Sequence, residues 1–255
     1  MKLIVNPQFK SIEKELFDVI HSFDQNGQLL VKGSRNTIKI FETSLGELNV
    51  KSFKKPHLIN TIVYKFIRAS KAKRSYDFGL KLTKMGIGTP TAIAYAEFSN
   101  GIGLGKSFYV CRHIDAEYTY RDLVAQPFLK HHGQILRAFT RFCFKLHENG
   151  VEFKDHSPGN TLIKLDENNT YSFYLVDLNR MNFLSEMPFE QRMYNLRRLT
   201  PKKEMITVMA NEYSKLYTEK SESEIFQLLW QYTCDFQDKF HRKQRMKKRI
   251  KFWKK

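Results

Sequence analysis

The sequence predicts an α+β chain: a small antiparallel sheet in its first part and a mainly helical second part. Three observations carry this. Apolar and polar residues alternate through Thr37–Phe41 and Leu48–Phe53. Apolar residues recur at spacings of three and four in 58–85 and again through Ile135, Phe139, Phe142 and Leu146. Beyond residue 187 the pattern reads as helix up to a very basic end. A chain of 255 residues suits one large domain or two lobes sharing a cleft.

In chain order, residues 1–27 are mixed and polar and read as a short helix or arm. From Gln28 to Phe53 three strands are expected as a meander, with turns at Gly33-Ser34 and Ser44-Leu45-Gly46. Pro56 closes it. A helix then spans 58–85, marked by Ile59, Ile62, Val63, Phe66, Ile67, Phe78, Leu82 and Met85, and Gly86 ends it. TAIAYAEF and SFYVCRHI are two further strands around the glycine-rich turn Asn100–Gly105. Gln134–His147 is a helix stopped by Asn149-Gly150, where a left-handed residue is tolerated. Strands follow around Thr161–Lys164 and Tyr171–Val176, joined by the turn DENN. The expected divisions are an arm at 1–27, a sheet-rich lobe at 28–114, a helical lobe at 115–238 and a basic amphipathic tail at 239–255.

Composition narrows the function classes. With 21 Phe and 12 Tyr the chain has ample apolar surface for a core, which argues against disorder. The three cysteines, Cys111, Cys143 and Cys234, are far apart and lack metal spacing, so a reduced intracellular chain is expected. The first residues carry charges too early for a secretory signal, and no apolar run has membrane-spanning length. A soluble or peripheral protein follows as the expectation. The net charge of +17 favours polyanionic partners: nucleic acid, anionic lipid or phosphorylated substrates.

The chemistry concentrates in VEFKDHSPGNTLIK and SFYLVDLNR. Asp155 is followed five residues later by Asn160, and Asp177 stands directly after an apolar strand. Phosphoryl transfer needs a carboxylate to orient the acceptor hydroxyl and take its proton, and carboxylate and amide oxygens to hold Mg²⁺ against the phosphates. The Asp-x4-Asn spacing agrees with a kinase catalytic loop. Alone it also fits ordinary turn residues; the preceding helix, the hairpin and the strand-end aspartate strengthen it. A kinase further needs a lysine on the third strand of its sheet, and Lys51 occupies that place in LNVKSF. His147 and His156 read as structural or loop-ordering residues rather than zinc ligands, having no evident third ligand.

The run NVKSFKKPHLINTIVYKFIRASKAKRSYDFGLKL, with GIGTPTAIAY, KDHSPGN and VDLNRM, resembles the lipopolysaccharide core kinases, the Kdo/heptose group. The resemblance covers roughly residues 28–185. It implies a protein-kinase-like two-lobed fold and transfer of the ATP γ-phosphate to a sugar hydroxyl of the inner core, on the cytoplasmic side of the inner membrane. By the same resemblance Lys51 would meet the nucleotide phosphates and Asp155 would be the catalytic carboxylate. Asn160 and Asp177 would bind Mg²⁺. The segment Arg112-His113-Ile114 would be a hinge meeting adenine through backbone groups.

Two positions depart from the kinase pattern. The nucleotide-covering turn 32–36 has one glycine, Gly33, where kinases have three. The expected glutamate partner of Lys51 is replaced by Ser75, and the nearest acid, Asp77, is about 200° away around a helix.

Only about ten residues separate Asp177 from the next helical sequence, which leaves little room for a peptide-docking loop and favours a small or glycolipid acceptor. The last seventeen residues carry ten Lys/Arg, with Met246, Ile250 and Trp253 on one helical stripe. Such a segment suits an anionic membrane surface; RNA is the less favoured partner. Two rival functions stay open here: a soluble phosphotransferase of the aminoglycoside or choline type, and a catalytically silent kinase-like scaffold binding membrane or RNA.

Overall fold

The computed structural model describes residues 1–34, 36–54, 69–100, 103–166 and 170–252. The chain forms two compact units. The first comprises Met1–Asp115 with Tyr174–Arg180, and the second Ala116–Phe173 with Met181–Lys255.

The first unit is built on a six-stranded sheet. Its elements are β1 (Lys2–Val5), a 3₁₀ turn (Pro7–Ile12), α1 (Glu13–His21), β2 (Gln28–Lys32), β3 (Asn36–Thr43), β4 (Gly46–Phe53), α2 (Lys71–Lys84), β5 (Ala92–Asn100) and β6 (Gly103–Arg112). The strand order is β1-β5-β6-β4-β3-β2. The β2-β3-β4 meander lies where the alternation predicts it, paired antiparallel with Ile38 opposite Lys51.

The arm reading of residues 1–27 needs correction. β1 pairs antiparallel with β5, and Asn6 donates its side-chain amide to the Ala92 carbonyl at 3.0 Å. Val5, Ile12, Leu16, Val19, Ile20 and Phe23 all join the core with Leu48, Val50 and Phe108. The error came from composition: Glu13, Lys14 and Glu15 mask the narrow apolar stripe of α1, which is all that one buried helix face needs.

The two sheet faces are covered by different helices. Leu48 and Val50 of β4 pack in the cluster with α1, while Phe53 packs with Ala72 and Tyr76 of α2. Because successive strand residues point to opposite faces, Lys51 leaves the sheet on the same side as Phe53. α2 starts at Ser70, whose buried side chain accepts from the Lys73 N–H at 3.0 Å, and it ends at Met85 before Gly86. The apolar positions Ile59 to Ile67 of the expected longer helix lie outside the described residues, as do Arg35 of the 32–36 turn, Gly101 and Ile102 of the glycine-rich turn, and 167–169 of the DENN turn. Gly79 lets α2 approach closely: a Cβ there would stand 3.2 Å from Ala92 Cβ and 3.6 Å from Leu178 Cδ1.

In the second unit the elements are β7 (Tyr118–Thr119), α3 (Tyr120–Ala125), α4 (His132–Glu148), β8 (Val151–Phe153), β9 (Thr161–Leu165), β10 (Tyr171–Leu175), β11 (Met181–Phe183), α5 (Phe189–Leu196), α6 (Lys203–Ser214) and α7 (Glu222–Phe252). The last two residues of β10 belong to the first unit. Its core gathers Ile135, Leu136, Phe139 and Cys143 of α4 with Met205, Ile206, Met209 and Tyr213 of α6, and Ile225 and Leu229 of α7. Glu212 ties α6 to α4: its carboxylate accepts from Arg137 at 3.0 Å, from Lys215 at 3.1 Å and from Arg141. Burial pushes this carboxyl up, and the three cations outweigh it and hold it below the usual range.

α4 stops as the sequence predicts. Gly150 has φ +63°, and a Cβ there would fall 2.0 Å from the Leu184 carbonyl oxygen, so only glycine fits. The basic tail is not a separate piece: α7 runs unbroken from Glu222 to Phe252, through residue 239. Met246 is exposed on it, while Trp253 and the Ile250 side chain lie outside the described residues. Among the described residues no helix is long and apolar enough to cross a membrane. Cys111, Cys143 and Cys234 are free thiols.

Candidate active site

In the first unit the site is built around Lys51. Its Nζ donates to Asp177 Oδ1 at 2.8 Å, and the lysine side chain is only 12% exposed. The ammonium also stands 5.4 Å from the centre of the Phe53 ring. Asp177 is delivered by the strand end before it. The Leu175 N–H donates to the Gly88 carbonyl at 2.9 Å, and the Thr89 hydroxyl donates to the Leu175 carbonyl at 2.9 Å. Asp177 itself adopts φ +60°, a left-handed conformation uncommon for a residue with a Cβ. Aspartate tolerates it better than most residues, and such backbone is enriched at functional sites. Asn179 Nδ2 donates to the same Oδ1 at 2.6 Å.

Both of these bonds reach Oδ1, so Oδ2 presents a hard oxygen donor of the kind Mg²⁺ takes. The missing helical partner of Lys51 is thereby accounted for. Ser75 is buried on the sheet-facing side of α2, and Asp77 pairs instead with Lys73 at 2.6 Å. The acid that meets Lys51 is Asp177.

The other first-unit residues are placed less directly. Gly33 sits after β2, its N–H donating to the Asn36 carbonyl at 2.9 Å. Arg112 ends β6, with its N–H bonded to the Thr91 carbonyl at 3.0 Å and its guanidinium to the Leu45 carbonyl at 3.0 Å. The His113 N–H donates to the Glu47 carbonyl at 2.9 Å. These two amides are committed within the protein, which moves the expected adenine contact towards Ile114 and the carbonyls of the segment.

In the second unit the loop after β8 carries Asp155 and Asn160. The sequence folds it tightly for local reasons. The His156 N–H returns to the Phe153 carbonyl at 3.0 Å, Pro158 opens a 3₁₀ turn, and the Asn160 N–H donates to the Ser157 carbonyl at 2.9 Å. The His156 ring is fully buried, with ring centroids 5.4 Å from Phe153 and 5.8 Å from Phe139. Burial pushes His156 down to about 4 and His147 down to about 3, so both are neutral imidazoles at neutral pH. His147 Nδ1 lies 2.8 Å from the Tyr213 hydroxyl, and Asn195 Nδ2 donates to the Phe153 carbonyl at 3.0 Å.

Asn160 Nδ2 donates to the Asp155 backbone carbonyl at 2.8 Å, which commits the amide nitrogen and leaves the amide oxygen as the atom of this side chain suited to Mg²⁺. Asp155 Oδ1 accepts from Arg198 Nη1 at 2.9 Å. Sequence reasoning missed Arg198 because no motif contains it. Arg121 was missed too; its guanidinium lies over Gly159, where a Cβ would stand 2.6 Å from Nη2. Asn179, by contrast, lies two residues beyond Asp177 inside the quoted DLNR run.

A sequence profile described as the lipopolysaccharide kinase (Kdo/WaaP) family matches residues 57–232. The chain belongs to this family. As a lipopolysaccharide kinase it is an ATP-using phosphotransferase acting on a hydroxyl group. The matched span contains Asp155, Asn160, Asp177 and Arg198, while Lys51 precedes it. A solved structure described as WaaP in complex with acyl carrier protein aligns with a TM-score of 0.59 at 16% identity, covering 93% of this chain and 99% of that one. That likeness shows the shared kinase-like fold. No curated protein matches the sequence.

Proposed function

We propose that this lipopolysaccharide kinase phosphorylates a hydroxyl of Kdo or heptose in the inner core, using Mg²⁺-ATP. The observation that carries the reading is the Lys51–Asp177 bond at 2.8 Å. It joins two residues 126 positions apart that separately fit the phosphate-binding and metal-binding roles of a kinase. Mg²⁺, when bound, neutralises phosphate charge. Asp177 and Asn160 offer oxygens to it, and Lys51 turns from its carboxylate partner to the nucleotide phosphates. Asp155 orients the sugar hydroxyl and accepts its proton. Gly33 lets backbone approach the phosphates, and the Arg112–Ile114 segment meets the base.

A peripheral place on the cytoplasmic face of the inner membrane suits this acceptor. The basic end of α7 supports it, with Phe240 and Met246 exposed among the lysines and arginines. Labelled ATP, Mg²⁺ and lipid A bearing Kdo test the reaction. Labelled glycolipid is expected from the wild type and not from Asp155→Ala; equal labelling by the variant would contradict the assignment. Flotation with anionic liposomes should weaken when residues 239–255 are removed, and undiminished flotation would remove the membrane role.

A further inference from the structure

Arg198 stands between α5 and α6, 43 residues from Asp155 in sequence. Its Nη1 donates to Asp155 Oδ1 at 2.9 Å and to the Lys154 carbonyl at 3.2 Å. One nitrogen thus bridges the backbone immediately before Asp155 and the carboxylate of Asp155 itself. That bridge fixes the side-chain torsions of the aspartate relative to its own loop. In the next peptide, on the other side of the Asp155 Cα, Asn160 holds the Asp155 carbonyl at 2.8 Å. The loop is gripped at two successive carbonyls, and Arg198 also reaches the carboxylate.

The guanidinium is held in turn. Phe236 of α7 lies beneath it, 5.4 Å from Arg198 Cζ to the ring centre. Arg197 reaches the same ring at 5.9 Å and stacks at 3.4 Å on Tyr194, which meets Tyr232 of α7 edge-on at 5.4 Å. α7 therefore offers an aromatic platform to the two arginines that follow α5. A lysine in place of Arg198 could keep a single bond to Asp155 but would lose the guanidinium that lies over the Phe236 ring.

We propose that Arg198 is a positioning residue for the catalytic carboxylate of Asp155, with Phe236 holding Arg198 in place. The proposal rests on the reading of Asp155 as the proton-accepting carboxylate. The pair is partly buried, its side chains 27% and 28% exposed, and the use proposed for it is geometric. The geometric demand is strict, because a small misplacement of a reacting group costs rate rather than binding.

The test is steady-state kinetics on the full-length protein with Mg²⁺-ATP and Kdo-bearing lipid A, alongside thermal unfolding of each variant. Arg198→Met is expected to lower kcat about 10- to 100-fold while the KM for ATP stays within about twofold. Arg198→Lys should recover part of the loss. Phe236→Leu, which keeps apolar volume and removes the ring face, should lower kcat about three- to tenfold, and Phe236→Tyr should restore it. Unfolding midpoints should stay near that of the wild type; if Arg198→Met does not fold, Arg198→Lys and Phe236→Leu carry the test. The positioning role is overturned if these variants keep wild-type kcat while Asp155→Ala is inactive, or if they change only the KM for ATP. If Asp155→Ala itself turns over normally, the reading of Asp155 falls, and the role of Arg198 falls with it.

Discussion

Lys51 and Asp177 in the first unit are partners of each other, 2.8 Å apart, and both are residues that kinase motifs name. Asp155 in the second unit is paired with Arg198, 2.9 Å away, which no motif names. The first pair joins two opposite charges, and in the proposed reading each has its own use once nucleotide and metal arrive. The second, in the same reading, joins the proton-accepting carboxylate to a cation that holds it. Groups that bind highly charged ligands can neutralise each other until the ligand competes for them. A group that takes a proton from a hydroxyl needs a fixed direction, and a scaffold residue supplies it.

The contrast can be broken at several points. Lys51→Met and Asp177→Asn should each weaken Mg²⁺-ATP binding by about 100-fold, since in the proposed roles each removes a charge-assisted contact to phosphate or metal. Titration calorimetry measures this, and unchanged affinity in both would detach the first unit from the nucleotide.

In the second unit the largest expected effect is structural. Gly150→Ala forces a Cβ towards the Leu184 carbonyl at φ +63° and should cost about 3 kcal/mol or more in denaturant unfolding. The buried imidazoles give a smaller, pH-dependent effect. Burial holds His147 and His156 below the ordinary 6.5, at about 3 and about 4, so the unfolded chain takes up protons first. The stability these two neutral rings contribute is full above pH ~6.5 and is lost as pH falls through about 4 to about 3. His147→Gln should flatten that fall, read as a shallower dependence of Tm on pH. The smallest effect is expected for Asp77→Ala. Its ion pair with Lys73 is about 40% exposed at both ends and is worth roughly 0–0.5 kcal/mol. Nucleotide affinity should not change, because Asp77 is not the partner of Lys51.

Legibility in the sequence follows the same contrast. The meander, the third-strand lysine, the Asp-x4-Asn loop and the strand-end aspartate all depend on short-range pattern, and they stand where that pattern puts them. β1 and α1 were hidden because their burial depends on partners far along the chain: Val5 opposite Ala94, and Leu16 in one cluster with Ile93 and Phe108. Arg198 was hidden for a stronger reason. Its role is set by tertiary placement beside residues 154–155 and over Phe236, and an arginine pair before Leu-Thr-Pro looks like solvated surface charge. Ser75 shows the reverse case. The sequence showed correctly that the helix lacked an acid at that position, and only the fold could supply Asp177 as the partner.

In the proposed division of labour Asp155 acts in chemistry while Lys51 and Asp177 act in nucleotide binding. The decisive measurement is Asp155→Asn, titrated with Mg²⁺-ATP and assayed for phosphate transfer to Kdo-bearing lipid A on the same sample. Nucleotide affinity is expected within about twofold of wild type, with transfer lowered at least about 1,000-fold. Transfer near the wild-type rate, or loss of nucleotide binding equal to that of Asp177→Asn, would contradict it.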